Sequence, residues 1–263
     1  MIYNTEQLLS HIKALGIKDD DYMVVHTSLK SVGKIDECGK TGAEALIDAL
    51  RLSVKNGLLA IPSFTYSNIR EVPIFDRRNT MPCVGAVPTV AVQLANKAHD
   101  IGDNTCIRSF NLSHSVVAFG ENAYEFTKDE VKADRPMPEY GCYGKLLRQN
   151  GKILLIGVGL TSCSFIHYID ARMTTKPSEP YPITAIDYDG TAYSRYARNA
   201  CGPKSSAPSK YFGQYECYLR DAGAITYGKI GDADTMVCDM RKMSDIITDM
   251  HKNGFYLVTE DRK

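Results

Sequence analysis

Residues 152–160 read KILLIGVGL, and a nearly continuous apolar run of this kind leaves a chain few ways to fold. Successive side chains of a strand point to opposite faces, so a run that is apolar throughout has to be covered on both sides. That is the position of a central strand in a sheet with helices above and below it. Tyr22 to Val25 is a shorter run of the same type. A third, LLAIPSF, follows a helix signalled by the Thr41/Glu44 capping box, by Ala45, Leu46, Ala49 and Leu50, and by the stop at Asn56-Gly57. Strand, helix and strand at this spacing predict parallel neighbours, hence an α/β fold with a mainly parallel central sheet covered by helices. No repeat, low-complexity tract or linker interrupts the 263 residues, so one domain spanning 1–263 is expected.

The flanking patterns fill in this frame. Asn4 and Gln7 cap a first amphipathic helix that ends at Gly16, Val84 to Leu94 reads as a mostly apolar helix, and Met243, Ile246, Ile247 and Met250 share one face of a last helix. Asp189-Gly190 lies between two alternating segments in Pro182 to Arg198, which predicts an antiparallel hairpin added to the parallel core. Gln214 to Ala222 reads as helix, Ala224 to Ile230 and Asp234 to Cys238 as strands, and Tyr256 to Thr259 as a last strand. Phe64 to Pro82 reads as a loop, and its position after a strand's carboxyl end makes it a candidate substrate wall that includes Asp76.

Thirty-one basic residues balance thirty-one acidic ones, which leaves no net field to draw in nucleic acid or an anionic membrane. A small neutral or mixed-charge substrate is the expected partner. The chain opens on charged residues and contains no bilayer-length apolar run, so a cytoplasmic location is expected. The eight cysteines stand singly, without a C-x-x-C pair or clustered histidines, and no metal site is expected.

Polar residues at the ends of the apolar runs mark where chemistry can sit. The run from Tyr22 breaks at His26, Thr27 and Ser28, and in open α/β sheets that edge takes ligands, with N–H groups and hydroxyls available to hold phosphate. A plain turn is the alternative reading. In RSFNLSHSVVAFG (108–120) the alternation of Ser115, Val117 and Phe119 with Val116 and Ala118 gives a strand with His114 at its start, where an imidazole is able to take a proton near neutral pH. Glu139 lies in a loop, DRPMPEYGCYG (134–144), stiffened by proline and able to orient a histidine. His167 and Asp170, three apart, share a helix face and form either a joint ligand site or a solvated pair. Gly157 and Gly159 lack the third glycine of a dinucleotide fingerprint.

The strings VVHTSLKSVG, GLLAIPSFTYS, FDRRNTMPCVGAVP, RSFNLSHSVVAFG, DRPMPEYGCYGKLL, GKILLIGVG and FIHYID follow one another in this order, with IGDADTMVCDMRKM near the end. Together they resemble the aminoglycoside 3-N-acetyltransferase family from about His26 to Asp170, and the last string is similar to the family's closing segment. The resemblance implies the family's own α/β fold and transfer of an acetyl group from acetyl-CoA to a small-molecule amine; a monomer or homodimer is expected. It places Thr27, Ser28 and Leu29 in the first CoA-contacting segment, flanked by His26 and Gly33. His114 and Ser115 fall on the histidine and serine closing the arginine-to-serine motif, Glu139 on the acidic residue of the loop before the glycine–basic–leucine turn, and His167 on the histidine of a later helix.

On this reading His114 is the general base, Glu139 holds its tautomer, Ser115 contacts the cofactor, and Asp76 and Asp170 face the acceptor. The chain departs from the family pattern at Asn111-Leu112, Thr89 and Asp170. Glu71 and Asp76 stand against Arg70, Arg77 and Arg78 in residues 64–80, a slightly basic balance that points to an acceptor less cationic than an aminoglycoside. A cysteine hydrolase and a non-catalytic CoA-binding module are the competing classes.

Overall fold

The computed structural model describes residues 1–132, 135–173, 178–198, 208–255 and 257–259. In chain order, helix α1 (Thr5–Ala14) leads to strand β1 (Tyr22–Thr27), the short α2 (Leu29–Val32), α3 (Gly42–Ser53) and β2 (Leu58–Pro62). Next come α4 (Asn68–Glu71), β3 (Ile74–Asp76), α5 (Ala86–Asp100), β4 (Cys106–Arg108), β5 (Val116–Phe119), α6 (Ala123–Thr127), α7 (Cys142–Arg148) and β6 (Lys152–Ile156). The rest is α8 (Ser164–Met173), β7 (Tyr181–Ile186), β8 (Ala192–Ala197), α9 (Glu216–Asp221), β9 (Ile225–Ile230), β10 (Ala233–Asp239) and α10 (Met240–Lys252).

A seven-stranded sheet in the order β9-β10-β6-β1-β2-β5-β4 forms the centre. β1 lies parallel to both β2 and β6, with Val24 opposite Ala60 and Thr27 opposite Ile156. The outer pairings, β2–β5, β5–β4, β6–β10 and β10–β9, are antiparallel. The α/β class expected from the sequence is borne out, but the parallel part is confined to the three central strands. Connection length accounts for part of this: β1 and β2 are joined through α3, a crossover long enough for parallel strands, whereas a short loop joins β4 to β5 and a two-residue turn joins β9 to β10.

The pleat explains why the central runs are apolar throughout. Met23, Val25, Leu59, Ile61, Leu154 and Ile156 pack on one face against α1, α3 and α5, while Val24, Leu58, Ala60, Ile153 and Leu155 pack on the other against α7, α8 and α10. Both predicted capping boxes form, at Asn4/Gln7 and at Thr41/Glu44. β1 runs on through His26 and Thr27, which pair with Leu155 and Ile156, so the polar pair sits inside the strand's last turn of ladder and not beyond it.

Three further expectations change. The hairpin β7–β8 forms, with Gly190 at φ 83°, but it does not join the core sheet. It builds a separate three-stranded sheet with β3, parallel to β7, over a cluster of Ile69, Phe75, Phe110, Leu112 and Ile183. Residues 64–82 are therefore not a plain loop: Phe75 is fully buried, and the flanking Pro73 and polar residues hide a short strand from any periodicity. Two arginines lock this small sheet to the large one. Arg77 donates from Nε to the Arg108 carbonyl (2.9 Å) and pairs with Asp187 (2.9 Å), while the buried Arg108 donates to the Arg77 carbonyl (2.8 Å) and lies over the Phe75 ring. Residues 257–259 form no strand, and Tyr256 lies outside the described residues, as does Asp134. The 134–144 loop ends early, because α7 begins at Cys142.

Gly57 sits where β2 starts beside the 20–21 turn, and a Cβ there would land on the Asp21 carbonyl oxygen that accepts from Leu58 N. Gly57→Ala is expected to destabilise the fold by about 1–3 kcal/mol. At Gly213 an added Cβ meets nothing within 4 Å, and Gly213→Ala stays within about 0.5 kcal/mol of the parent. Urea midpoints of the two variants check the contrast.

Candidate active site

The carboxyl ends of the parallel strands open into a cavity of about 420 Å³. β1 supplies Val25, His26 and Thr27, β2 supplies Ile61 and Pro62, and the stretch after β6 supplies Val158 and Thr161 to Ser164. Phe64, Tyr66 and Arg70 close one side, and His114 and His167 reach in from the β4–β5 loop and from α8.

His26, His114 and His167 are thus brought together, and burial keeps each imidazole neutral. For His26, burial lowers the pKa to about 4, and its Nε2 is shut off from solvent without a hydrogen-bond partner among the described residues. The neighbouring Thr27 Oγ1 is in the same condition. His114 is held from several sides. Its backbone N–H donates to Asn111 Oδ1 (3.1 Å), whose own amide donates to the Pro136 carbonyl (2.8 Å), so the departure at Asn111 acts as a brace for the histidine loop. Its Nδ1 lies 2.8 Å from the Ser113 hydroxyl, and its ring packs on Phe64 and stacks on Tyr66. Burial, with His167 and Arg70 pushing the same way, lowers its pKa to about 3. His167 is less enclosed, stands edge-on to Phe212 at 4.9 Å, and is likewise lowered by burial.

The other expected site residues lie elsewhere. Glu139 is exposed on the turn before α7, where its backbone carbonyl accepts from Arg148; Ser113, not Glu139, is the partner of the His114 ring. Ser115 is fully buried behind the cavity and donates to the Ser63 carbonyl (2.8 Å), with Arg108 Nε 3.3 Å away, so its hydroxyl is committed inside the sheet junction. Ser28 and Leu29 start α2 one step outside the cavity, and the Ser28 hydroxyl accepts from Ser31 (2.9 Å). Gly33 serves packing: a Cβ there would strike the Asp232 carboxylate. Asp76 accepts from the Arg78 and Asn79 backbone amides (2.9 Å each) and closes its own turn. Asp170, three residues beyond His167, is buried toward α10, with His251 Nε2 at 3.8 Å.

Sequence reading did not count Tyr66, Arg70 or the 161–164 stretch among the site residues, although Arg70 figures in the charge balance of the 64–80 wall; the Cys163 thiol is pushed up to about 12 by burial. A thiolate nucleophile is not available at that pKa, which removes support from the cysteine hydrolase.

The cavity therefore offers neutral imidazoles, hydroxyls and apolar walls at the sheet edge where α/β proteins bind ligands. The sequence profile of aminoglycoside 3-N-acetyltransferases matches residues 24–252. The chain belongs to the aminoglycoside 3-N-acetyltransferase family. An aminoglycoside N(3)-acetyltransferase III of Pseudomonas aeruginosa is 26% identical over 255 residues, covering 86% of this chain and 85% of its own length. One of the same name from Serratia marcescens is 25% identical over 205 residues, covering 70% of this chain and 71% of its own. The fold matches that of AAC-IIIb in its binary structure with CoASH, at a TM-score of 0.80 and 20% identity over 98% of this chain and all of that one.

The depressed His114 pKa has a sign for stability. The folded state binds fewer protons than the unfolded chain between pH 3 and 6.5, so stability is present above 6.5 and is lost as pH falls toward 3. Between pH 7 and 5 the wild type is expected to lose about 2 kcal/mol more than His114→Gln, which has nothing to protonate there. Urea titrations at the two pH values measure the difference.

Proposed function

We propose that this cavity is where an acetyl group passes from acetyl-CoA to the nitrogen of a small-molecule amine. The observation that carries the reading is the convergence of His26, His114 and His167 on one cavity at the carboxyl ends of the parallel strands, with Thr27 beside them. His26 and Thr27 stand at the strand end that the resemblance identifies with the family's CoA-contacting segment. Acetyl-CoA, as co-substrate, supplies the activated acyl group.

The chain's residues do the rest. His167, neutral and less enclosed, takes the proton that the amine loses as it attacks. His114, with its pKa near 3, is a poor base at neutral pH and acts as a fixed, neutral hydrogen-bonding ring, aimed by Ser113, Phe64 and Tyr66. The proton-transfer role expected for His114 with Glu139 thus passes to His167. The acceptor is a small-molecule amine, with aminoglycosides the class named for the family, and a domain spanning 1–263 carries the activity. Among the described residues no helix is long and apolar enough to cross a membrane.

His167→Ala is expected to lower kcat by roughly 10²–10⁴ with CoA binding retained, the usual scale for losing a general base. His114→Ala should lose less than His167→Ala. Burial lowers the His167 pKa, so the acid limb of its kcat profile falls below the ordinary histidine value of 6.5. Thiol release from acetyl-CoA over pH 5–9, with calorimetry of CoA binding, tests all three. Equal turnover in wild type and His167→Ala would take His167 out of the mechanism, and no CoA binding by the wild type at millimolar concentration would end the transferase reading.

A further inference from the structure

Between α6 and α7 lies a buried carboxylate that the proposed reaction does not use. Glu130, on the 3₁₀ turn Lys128–Lys132, is 3% exposed, and its Oε1 accepts from the Cys142 N–H (2.8 Å) at the first residue of α7. Burial raises its pKa to about 7, against the Ser109 hydroxyl, the Cys142 N–H and Lys145, which favour the charged form. A carboxylate is costly to bury, and a helix start is capped without that cost by a surface Ser, Thr, Asp or Asn at the N-cap. This chain has Gly141 there, and a Cβ on Gly141 would come within 2.8 Å of Glu130 Oε1. Glu139, nearer in the chain, faces solvent instead. The glycine leaves room for a carboxylate brought in from an earlier turn, which points to a second task for it.

That task lies on the Ser109 side. Ser109 closes the neck of the loop that carries His114: its N–H donates to the Val116 carbonyl (2.8 Å), and its hydroxyl accepts from the Val116 N–H (3.0 Å). The same loop is held again at Asn111, whose amide donates to the Pro136 carbonyl (2.8 Å) and whose Oδ1 accepts from the His114 N–H (3.1 Å). Glu130 and Pro136 belong to one connection, which therefore meets the histidine loop both at its neck and beside His114.

Resting on the acetyl-transfer reading above, we propose that Glu130 is a positioning residue: it ties the neck of the 109–116 loop to the start of α7 and so holds the His114 ring at the reacting groups. Glu130 is not among the residues that line the cavity, and it acts through Ser109 and His114. A group displaced by about 1 Å from its place at the reacting atoms can cost about a hundredfold in rate, so a distant anchor of this kind has a large effect on turnover. The chemistry is unchanged, with His167 taking the amine proton.

The test is a double-mutant cycle between Glu130 and His114. Thiol release from acetyl-CoA is followed with neomycin or benzylamine, whichever the wild type acetylates faster, and kcat is expressed per CoA-binding site counted by calorimetry, so that a loss of folded protein does not count as a loss of turnover. Glu130→Ala is expected to lower kcat by about tenfold or more while the KM for acetyl-CoA stays within about twofold. Glu130→Gln, which keeps an acceptor for the Cys142 N–H, stays within about threefold of wild type. In the His114→Ala background, Glu130→Ala costs less than about twofold further, because the group it positions is gone. Where Glu130→Ala does not fold, Glu130→Asp, shorter by one methylene, goes through the same cycle and is judged by the same results. The proposal is overturned if the substitution leaves kcat within about twofold of wild type, if its cost is as large without His114 as with it, or if the loss falls on the KM for acetyl-CoA. A wild type that binds no CoA, or acetylates neither amine, fails the transferase reading and this proposal with it, whereas an active wild type with an additive cycle fails this proposal alone.

Discussion

The parallel alignment of β1 with β2 and β6 is the constraint from which the rest follows. Parallel strands end on the same edge, so the residues after Val25, after Ile61 and after Ile156 are delivered to one place. Because both faces of these strands are buried under helices, that edge is where polar residues are free to gather. His26 and Thr27 are there because the ladder with Leu155 and Ile156 carries them there. The antiparallel β5 then returns alongside β2 and brings the loop carrying His114 to the same edge, with Ser63 N bonded to the Ser115 carbonyl at 2.8 Å.

The small sheet adds the second side of the cavity. Arg77 and Arg108 exchange hydrogen bonds to each other's carbonyls, and the Arg108 side chain is buried between the sheets over Phe75. Burying a guanidinium is costly unless its donors are met: here the Arg77 carbonyl accepts from Nη1, the Ser115 hydroxyl from Nε, and the group lies over the Phe75 ring, while Nη2 has no hydrogen-bond partner among the described residues. Ile69 of α4 packs in the cluster with Phe75, Phe110 and Leu112 under this sheet. The serine expected to touch cofactor is instead part of this junction.

What the sequence makes legible is what burial writes into it locally. The doubly covered strands, the two capping boxes and the Asp189-Gly190 hairpin all follow from residues adjacent in the chain. β4 has three residues and β3 has three, too few for a period, and β3 pairs with β7 across a gap from Ile74 to Thr184 that no local pattern encodes. Tyr66 carries no local mark and Arg70 is visible only as one basic residue of the 64–80 wall; that both line the cavity is seen in the structure alone. His26, Thr27 and His114 were found because polar residues at the ends of apolar runs stand out, and His167 because it shares a helix face with Asp170 in a string that resembles the family's. Family resemblance located Glu139 along the chain but says nothing of which side of its turn faces water, and here the start of α7 at Cys142 leaves it exposed.

A crystal structure of the protein with CoA bound tests the central claim most directly. The thiol sulfur is expected inside the cavity, about 3–4 Å from the nearest ring atom of His167 or from the space between His167 and His114, with the chain of the cofactor passing His26 and Thr27. CoA bound on another face of the sheet, or with its sulfur outside the cavity and beyond reach of both histidines, would contradict it.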